Sequence, residues 1–178
     1  MVRHYSYRMD HDTGFAPHMA WSICTLCGCK RPRRKHGRIY GNIESWAGRG
    51  SWVVGIGGKG TGKPDTLIYA MKVDDNYPVK KFRRKYPHQS SYLHRHGIKP
   101  TDHVLVSKRF YYFGSNAKKI PQSLQGIIHD RQGCKRIDEE VDKLEKFFAK
   151  RRVGKRGEPN NPEPRQARCG GCHGNDCH

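Results

Sequence analysis

The stretch Ser51–Val73 reads SWVVGIGGKGTGKPDTLIYAMKV. Ser51–Ile56 is a short apolar run of β-type side chains. Thr66–Val73 places Leu67, Tyr69, Met71 and Val73 on one face at period two. Glycines and lysines join the two runs. The spacing predicts two antiparallel strands connected by a long loop. The loop also contains a decoy: Gly57–Lys63 fits the phosphate-loop pattern G-x-x-x-x-G-K after a strand. The next residue must be Ser or Thr to hold Mg²⁺, and Pro64 stands there. Such a loop must also open a helix whose amides meet the phosphates, yet the chain runs into another strand pattern. Both context tests for nucleotide hydrolysis fail. What remains is a flexible basic loop, in which Lys59 and Lys63 can touch phosphate.

Downstream, His103–Phe113 (HVLVSKRFYYF) reads as a third strand closed by Gly114. Pro121–Ile128 reads as a short helix with proline at its first position. Asp138–Val153 is the clearest helix. Val141, Leu144 and Phe148 fall at i, i+3 and i+7, with Asp138, Glu139 and Glu140 at its positive end and Lys150, Arg151 and Arg152 at its negative end. Strands first and helices late predict an α+β fold. Residues 1–50, rich in Gly, Arg, His and aromatics, read as strands and loops. The expected organisation is one domain over residues 1–153, followed by a basic linker and Cys/His tail over 154–178.

Charge dominates the 178-residue composition. Lys and Arg number 35 against 16 Asp and Glu, a net charge of +19, while only 34% of residues are apolar. A surface so basic repels itself unless a polyanion offsets it. Nucleic acid is therefore the expected partner, with DNA favoured. No apolar run approaches the ~20 residues of a membrane span, and no amphipathic helix or lipidation signal points to a membrane. The polar N-terminus does not read as a signal peptide. A cytoplasmic, reducing setting is expected, in which cysteines serve as thiols or metal ligands.

Two basic runs carry the nucleic-acid reading. Lys30–Arg38 (KRPRRKHGR) includes Arg31, Arg33, Arg34 and Lys35, and Lys80–Lys85 (KKFRRK) includes Lys80, Lys81, Arg83 and Arg84. Basic groups track phosphates and aromatic faces stack on unpaired bases. Trp46, Trp52 and Tyr69 are the candidate stacking rings, although core burial is the commoner fate of any one aromatic. A Cys/His tail offers Cys169, Cys172, Cys177 and His178 as zinc ligands, because a C-x-x-C pair can grip one Zn²⁺. An unstructured tail explains the same residues equally well. Cys24-x-x-Cys27-x-Cys29 is a second, weaker set. Near the N-terminus, Asp10-His11-Asp12-Thr-Gly14 with His18 could bind metal or act as acid and base. On spacing alone a turn is the better reading.

Several pieces, taken in order, suggest a family: Asp12–Pro17 (DTGFAP), Cys24-Thr-Leu26, Cys29-Lys30, Gly50–Gly57 (GSWVVGIG), Leu67–Val73 (LIYAMKV) and Tyr112-Phe-Gly114. This order, over roughly residues 3–136, resembles the second of the nucleotide-modification-associated domain families, encoded beside enzymes that modify bases in phage and bacterial DNA. The resemblance implies DNA-modification enzymes as candidate partners. Its matching polar positions here are Asp10, Asp12, Cys29 and Lys30, a candidate catalytic set that raises the N-terminal acidic cluster from a turn to a candidate site. Where the family usually has an acidic residue before the tryptophan, this chain has Ser51. The strand pair around Trp52 and Tyr69 is also similar to the hairpin of the PUA-like superfamily. That likeness implies a small β-barrel with flanking helices, the alternative being a strongly bent mixed sheet.

Two functions of different class follow. In the first, the protein is a binding module that recognises a modified or extruded base. In the second, it is an enzyme acting on a base or nucleotide through Asp12, Cys29 and Lys30. In the latter, Lys30 would lower the thiol pKa of Cys29.

Overall fold

A computed structural model describes residues 2–28, 33–35, 38–40, 43–94, 98–128 and 133–162. In chain order the strands are β1 (Tyr5–Met9), β2 (His18–Ala20), β3 (Ile23–Leu26), β4 (Arg33–Lys35), β5 (Arg38–Tyr40), β6 (Trp52–Gly57), β7 (Thr66–Lys72), β8 (Asp75–Pro78), β9 (His103–Ser107), β10 (Arg109–Tyr112), β11 (Lys118–Lys119), β12 (Cys134–Arg136) and β13 (Gly154–Lys155). The α-helices are α1 (Ile43–Trp46), α2 (Val79–Lys85) and α3 (Val141–Ala149).

The hairpin read from Ser51–Val73 forms, with Val53 opposite Met71 and Val54 opposite Ala70. A register shift at Gly55/Ile56 bends it. Glycine is required at 55, because a Cβ there would stand 2.3 Å from the ring of Tyr69. This hairpin is the centre of a mixed sheet of order β12-β1-β6-β7-β10-β13, with β11 also pairing β7. β1 runs parallel to β6, and β13 parallel to β10. A four-stranded antiparallel sheet has the order β2-β3-β9-β8, and β4 and β5 form a separate pair.

The class is α+β, as expected. Among the described residues neither large sheet closes, since β12 and β13 end one path and β2 and β8 the other. A barrel requires the terminal strands to pair, so the observed architecture is one open mixed sheet and one open antiparallel sheet.

Three apolar clusters define four layers. Tyr7, Val53, Met71 and Tyr112 of the large sheet pack on Cys24, Leu26 and Leu105 of the small one. The other face of the large sheet, through Trp52, Val54, Ile56 and Tyr111, meets Leu144 and Phe148 of α3. The other face of the small sheet, through Ile23, Val104 and Val106, meets Val79 and Phe82 of α2. The alternation of Val104 and Val106 outward with Leu105 inward follows the two-residue period of a strand.

Three local readings differ from the structure. His103–Phe113 is not one strand, because it breaks at Lys108 into β9 of the small sheet and β10 of the large one. The Ser107 hydroxyl holds the corner by donating to the carbonyls of Lys72 (2.6 Å) and Arg109 (2.9 Å). The predicted helix at Pro121–Ile128 is a 3₁₀ segment, Gln122–Ile127. The predicted helix at 138–153 begins as 3₁₀ over Asp138–Glu140 and ends at Ala149. Beyond residue 153 the chain stays bound to the domain through β13.

Candidate functional site

Because β1 and β6 are parallel, their C-terminal ends lie side by side, with Met9 opposite Gly57. The residues that follow, Asp10-His11-Asp12 and Gly58-Lys59-Gly60, therefore meet. The glycines permit this approach. A Cβ on Gly58 would lie 2.6 Å from the Met9 carbonyl oxygen, and one on Gly60 would lie 2.2 Å from that of Asp10. Three of the loop amides are spent internally. Gly58 donates to Met9, Thr61 to Gly58, and Gly62 to Lys59. The glycines of this loop serve close packing, a role the motif alone did not reveal. The strand ends and loop enclose a cleft of about 590 Å³ lined by Arg8, Asp10, His11, Lys59, Pro64 and Asp65. Arg8 pairs with Asp65 at 2.6 Å. Lys63 lies beyond this lining, its amide donating to Thr61 Oγ1.

Asp12 is wholly buried. Its carboxylate accepts from the Tyr112 hydroxyl (2.8 and 2.9 Å), the Asn160 amide (3.0 Å) and Asn160 Nδ2 (2.8 Å). Its own amide donates to Asn161 Oδ1, and its carbonyl accepts from the Asn161 amide. Burial, and then the adjacent carboxylate, push the Tyr112 phenol far above its ordinary value. The two groups form a clamp that ties residues 160–161 to the N-terminal segment. Asp10, two residues earlier, is exposed on the cleft wall. Cys29, Lys30 and Arg31 lie outside the described residues, while Arg33, Arg34 and Lys35 are positions on β4.

The second basic run is the helix α2. Val79 and Phe82 are buried against the small sheet, Lys80, Lys81, Arg84 and Lys85 are exposed, and Arg83 is half-buried with its Nε–H unpartnered. Lys81 lies 5.3 Å and Lys85 4.8 Å from the centre of the Tyr77 ring. Among the described residues no carboxylate pairs with Lys80, Lys81, Arg83 or Arg84. Lys80 and Lys81 also occupy the positive end of the helix, where cations cost about 0.3–1 kcal/mol each. Pro78 adds no side-chain cap.

The aromatic candidates divide. Trp52 and Tyr69 are completely buried, so neither presents a ring to a base. Trp52 stacks on Phe148, at 5.2 Å, and on Tyr111, at 6.3 Å, and donates to Glu145 at 2.9 Å. Burial raises the Glu145 carboxyl, but bonds from Lys72, Trp52 and Arg109 outweigh it and hold the group below its ordinary value. The Tyr69 hydroxyl pairs with that of Tyr7 at 2.8 Å. Trp46 remains 45% exposed. Sequence reasoning missed Trp21, which is 74% exposed at the tip of the β2–β3 hairpin. Both tip residues are left-handed, Trp21 at φ 53° and Ser22 at φ 63°. No Asn-Gly pair flags that turn, so its sequence carried no signal. Arg8 and Asp65 were missed for a similar reason, since only strand pairing brings them together.

The weaker cysteine set is separated by the strand pleat. Cys24 faces the cluster between the sheets and Cys27 the cluster under α2. Burial pushes the Cys24 thiol well up, which disfavours the thiolate a metal requires. No group of three metal-ligating side chains occurs among the described residues. The zinc candidates Cys169, Cys172, Cys177 and His178 lie outside them.

Fold and site together define an α+β domain of two open sheets, with a cationic helix on one outer face and a polar cleft at the ends of a parallel strand pair. The family model for nucleotide modification associated domain 2 matches residues 1–97 and 83–166, and the chain belongs to that family. The family name links it to nucleotide modification. No curated protein and no solved structure matches the chain. Among the described residues no helix is long and apolar enough to cross a membrane.

Proposed function

We propose that this protein binds nucleic acid, DNA in preference, alongside enzymes that modify bases. The observation that carries the reading is the outer face of α2, where Lys80, Lys81 and Arg84 are exposed with no carboxylate partner among the described residues, two of them against the helix dipole. A helix that accepts that cost is offset by a bound polyanion. Phosphates would lie along α2. A modified or extruded base would stack on an exposed ring, Trp46 or Trp21, where stacking contributes about 1–3 kcal/mol per base.

The test is the salt dependence of duplex binding. Each phosphate contact adds about 0.9 to the log–log slope. The variant K80E/K81E is expected to lower the steepness by about 2 and to weaken low-salt binding at least about tenfold. A slope equal to that of the unaltered protein refutes the role of α2.

A second reading is favoured by the cleft at the strand ends. Asp10 and His11 are exposed on its wall beside Lys59 and Arg8, a set able to exchange a proton and hold an anion. An enzyme acting on a base or nucleotide would place its substrate there, with Asp12 supporting the wall. Mass spectrometry of DNA or nucleotides incubated with the protein is expected to show a product that disappears in D10N and H11A. Products of equal yield from all three proteins would remove the cleft from the chemistry.

A further inference from the structure

The loop after α3 gathers cations with little to balance them. Lys150, Arg151, Arg152, Val153, Lys155 and Arg156 line a cleft of about 720 Å³ whose wall contains no carboxylate. The nearest paired acid is Glu158, which meets Lys155 at 2.6 Å and is itself 77% exposed. The C-terminus of α3 contributes only about half a negative charge. Among the described residues, five cations therefore face each other largely unbalanced. Their mutual repulsion is visible at Arg151, held below its ordinary value by burial and then by the charge of Arg156.

The backbone that carries these cations is fixed in place. Gly154 and Lys155 form β13, in register with Tyr111 and Tyr112 of β10, and the Arg156 amide donates to the Tyr112 carbonyl at 2.8 Å. Gly154 takes φ 118°, a conformation that favours glycine. The Arg151 guanidinium lies 3.5 Å from the centre of the Phe147 ring and donates to the Phe147 carbonyl, while Arg156 donates to the Arg152 carbonyl. A carbonyl at the end of α3 and one in the following loop thus orient two guanidinium groups. A preorganised cluster of this kind loses less entropy on meeting a phosphate than a flexible basic tail would.

Position makes this cluster distinct from α2. The helix α3 covers the outer face of the large sheet and α2 the outer face of the small sheet, with the two sheets packed between them. Three layer spacings of roughly 10 Å separate the two helices. The loop runs from the end of α3 to β13 at the edge of the large sheet, so it lies roughly two to three layer spacings from α2.

We propose that the Lys150–Arg156 loop is a second phosphodiester-binding site, so that one protein molecule holds two nucleic-acid segments, one along α2 and one at this loop. The inference rests on the nucleic-acid reading above.

The experiment uses the full chain. One duplex is immobilised, a second, fluorescently labelled duplex is supplied in solution, and protein-dependent retention of the label is measured at low salt. The variant K150E/R152E alters two exposed side chains outside both the α2 face and the polar cleft. It is expected to bind the immobilised duplex with its α2-dependent slope intact, yet to retain the labelled duplex at least about tenfold less. K150A/R152A, which removes charge without adding any, is expected to show the same loss. Retention that survives in both variants overturns the inference, since bridging would then arise elsewhere, for instance through self-association. An unaltered protein that binds the first duplex but never the second also overturns it, while leaving the α2 reading intact. Failure to bind either duplex removes both.

Discussion

Trp52→Ala is expected to lower the unfolding free energy by about 3–5 kcal/mol, the usual cost of truncating a buried aromatic to alanine. The substitution empties the space between the large sheet and α3. It removes the stacking on Phe148 and Tyr111 and the indole bond to Glu145. Glu145 keeps Lys72 and Arg109 at 2.6 and 2.7 Å, so the carboxylate is not stranded and the loss is mainly one of packing. For a chain of this size the melting temperature should fall by roughly 6–20 °C. Trp52→Phe, which fills most of the volume, is expected to recover more than half of that. Urea unfolding of the three proteins measures the effect. A melting curve unchanged in Trp52→Ala, with nucleic-acid binding reduced, would contradict the core assignment and restore Trp52 as a stacking ring.

Asp12→Ala is expected to cost about 2–5 kcal/mol, because it leaves the buried Tyr112 hydroxyl and two half-buried donors of Asn160 without an acceptor. The Tyr112 hydroxyl, the Asn160 amide and Asn160 Nδ2 all converge on this carboxylate. Each unsatisfied donor costs about 1–3 kcal/mol, and relaxation of the 160–161 segment into water recovers part of it. The loss should be local as well as global. Amide exchange is expected to accelerate over residues 154–162, where β13 and Asn160 lose their tether, before the β6–β7 hairpin responds. Tyr112→Phe removes one donor and leaves the carboxylate to the two from Asn160, so it should cost less. A double-mutant cycle between Asp12 and Tyr112 isolates their coupling. Exchange rates over 154–162 equal to those of the unaltered protein would mean that the clamp does not hold this segment. Any catalytic role of Asp12 has to be judged against this structural cost, since an inactive Asp12 variant is expected to be a loosened one.

What could be read from the chain depended on range. The β6–β7 hairpin was legible because Leu67, Tyr69 and Met71 repeat at period two within one segment, and a strand reports its faces through that period alone. The stripe of Leu144 and Phe148 located α3 in the same way, although its 3₁₀ start and its stop at Ala149 escaped. The strand over 103–113 was misread because Val104–Ser107 and Arg109–Tyr112 each look like strand, and no glycine or proline marks the corner at Ser107. The family was legible from an ordered set of short motifs.

The candidate site was less legible. A glycine-rich string after a strand suggested phosphate contact, but those glycines exist so that the chain can pass within contact of Met9 and Asp10. That need appears only when β1 lies parallel to β6. Asp12 and Asn160 are separated by 148 residues and meet because β13 joins the sheet beside β10. Nothing local in either segment encodes the bond.

By itself, then, the sequence determined the class of fold, the central hairpin, the family and the excess of positive charge, all properties of composition or of patterns within one element. Only the tertiary structure decided which rings are shut away, Trp52 and Tyr69, and which stay open, Trp46 and Trp21. It alone set the cations of α2 on the small sheet and those of the Lys150–Arg156 loop between the end of α3 and the edge of the large sheet. The reason is physical: burial and facing are properties of layers, and layers exist only once distant strands have paired.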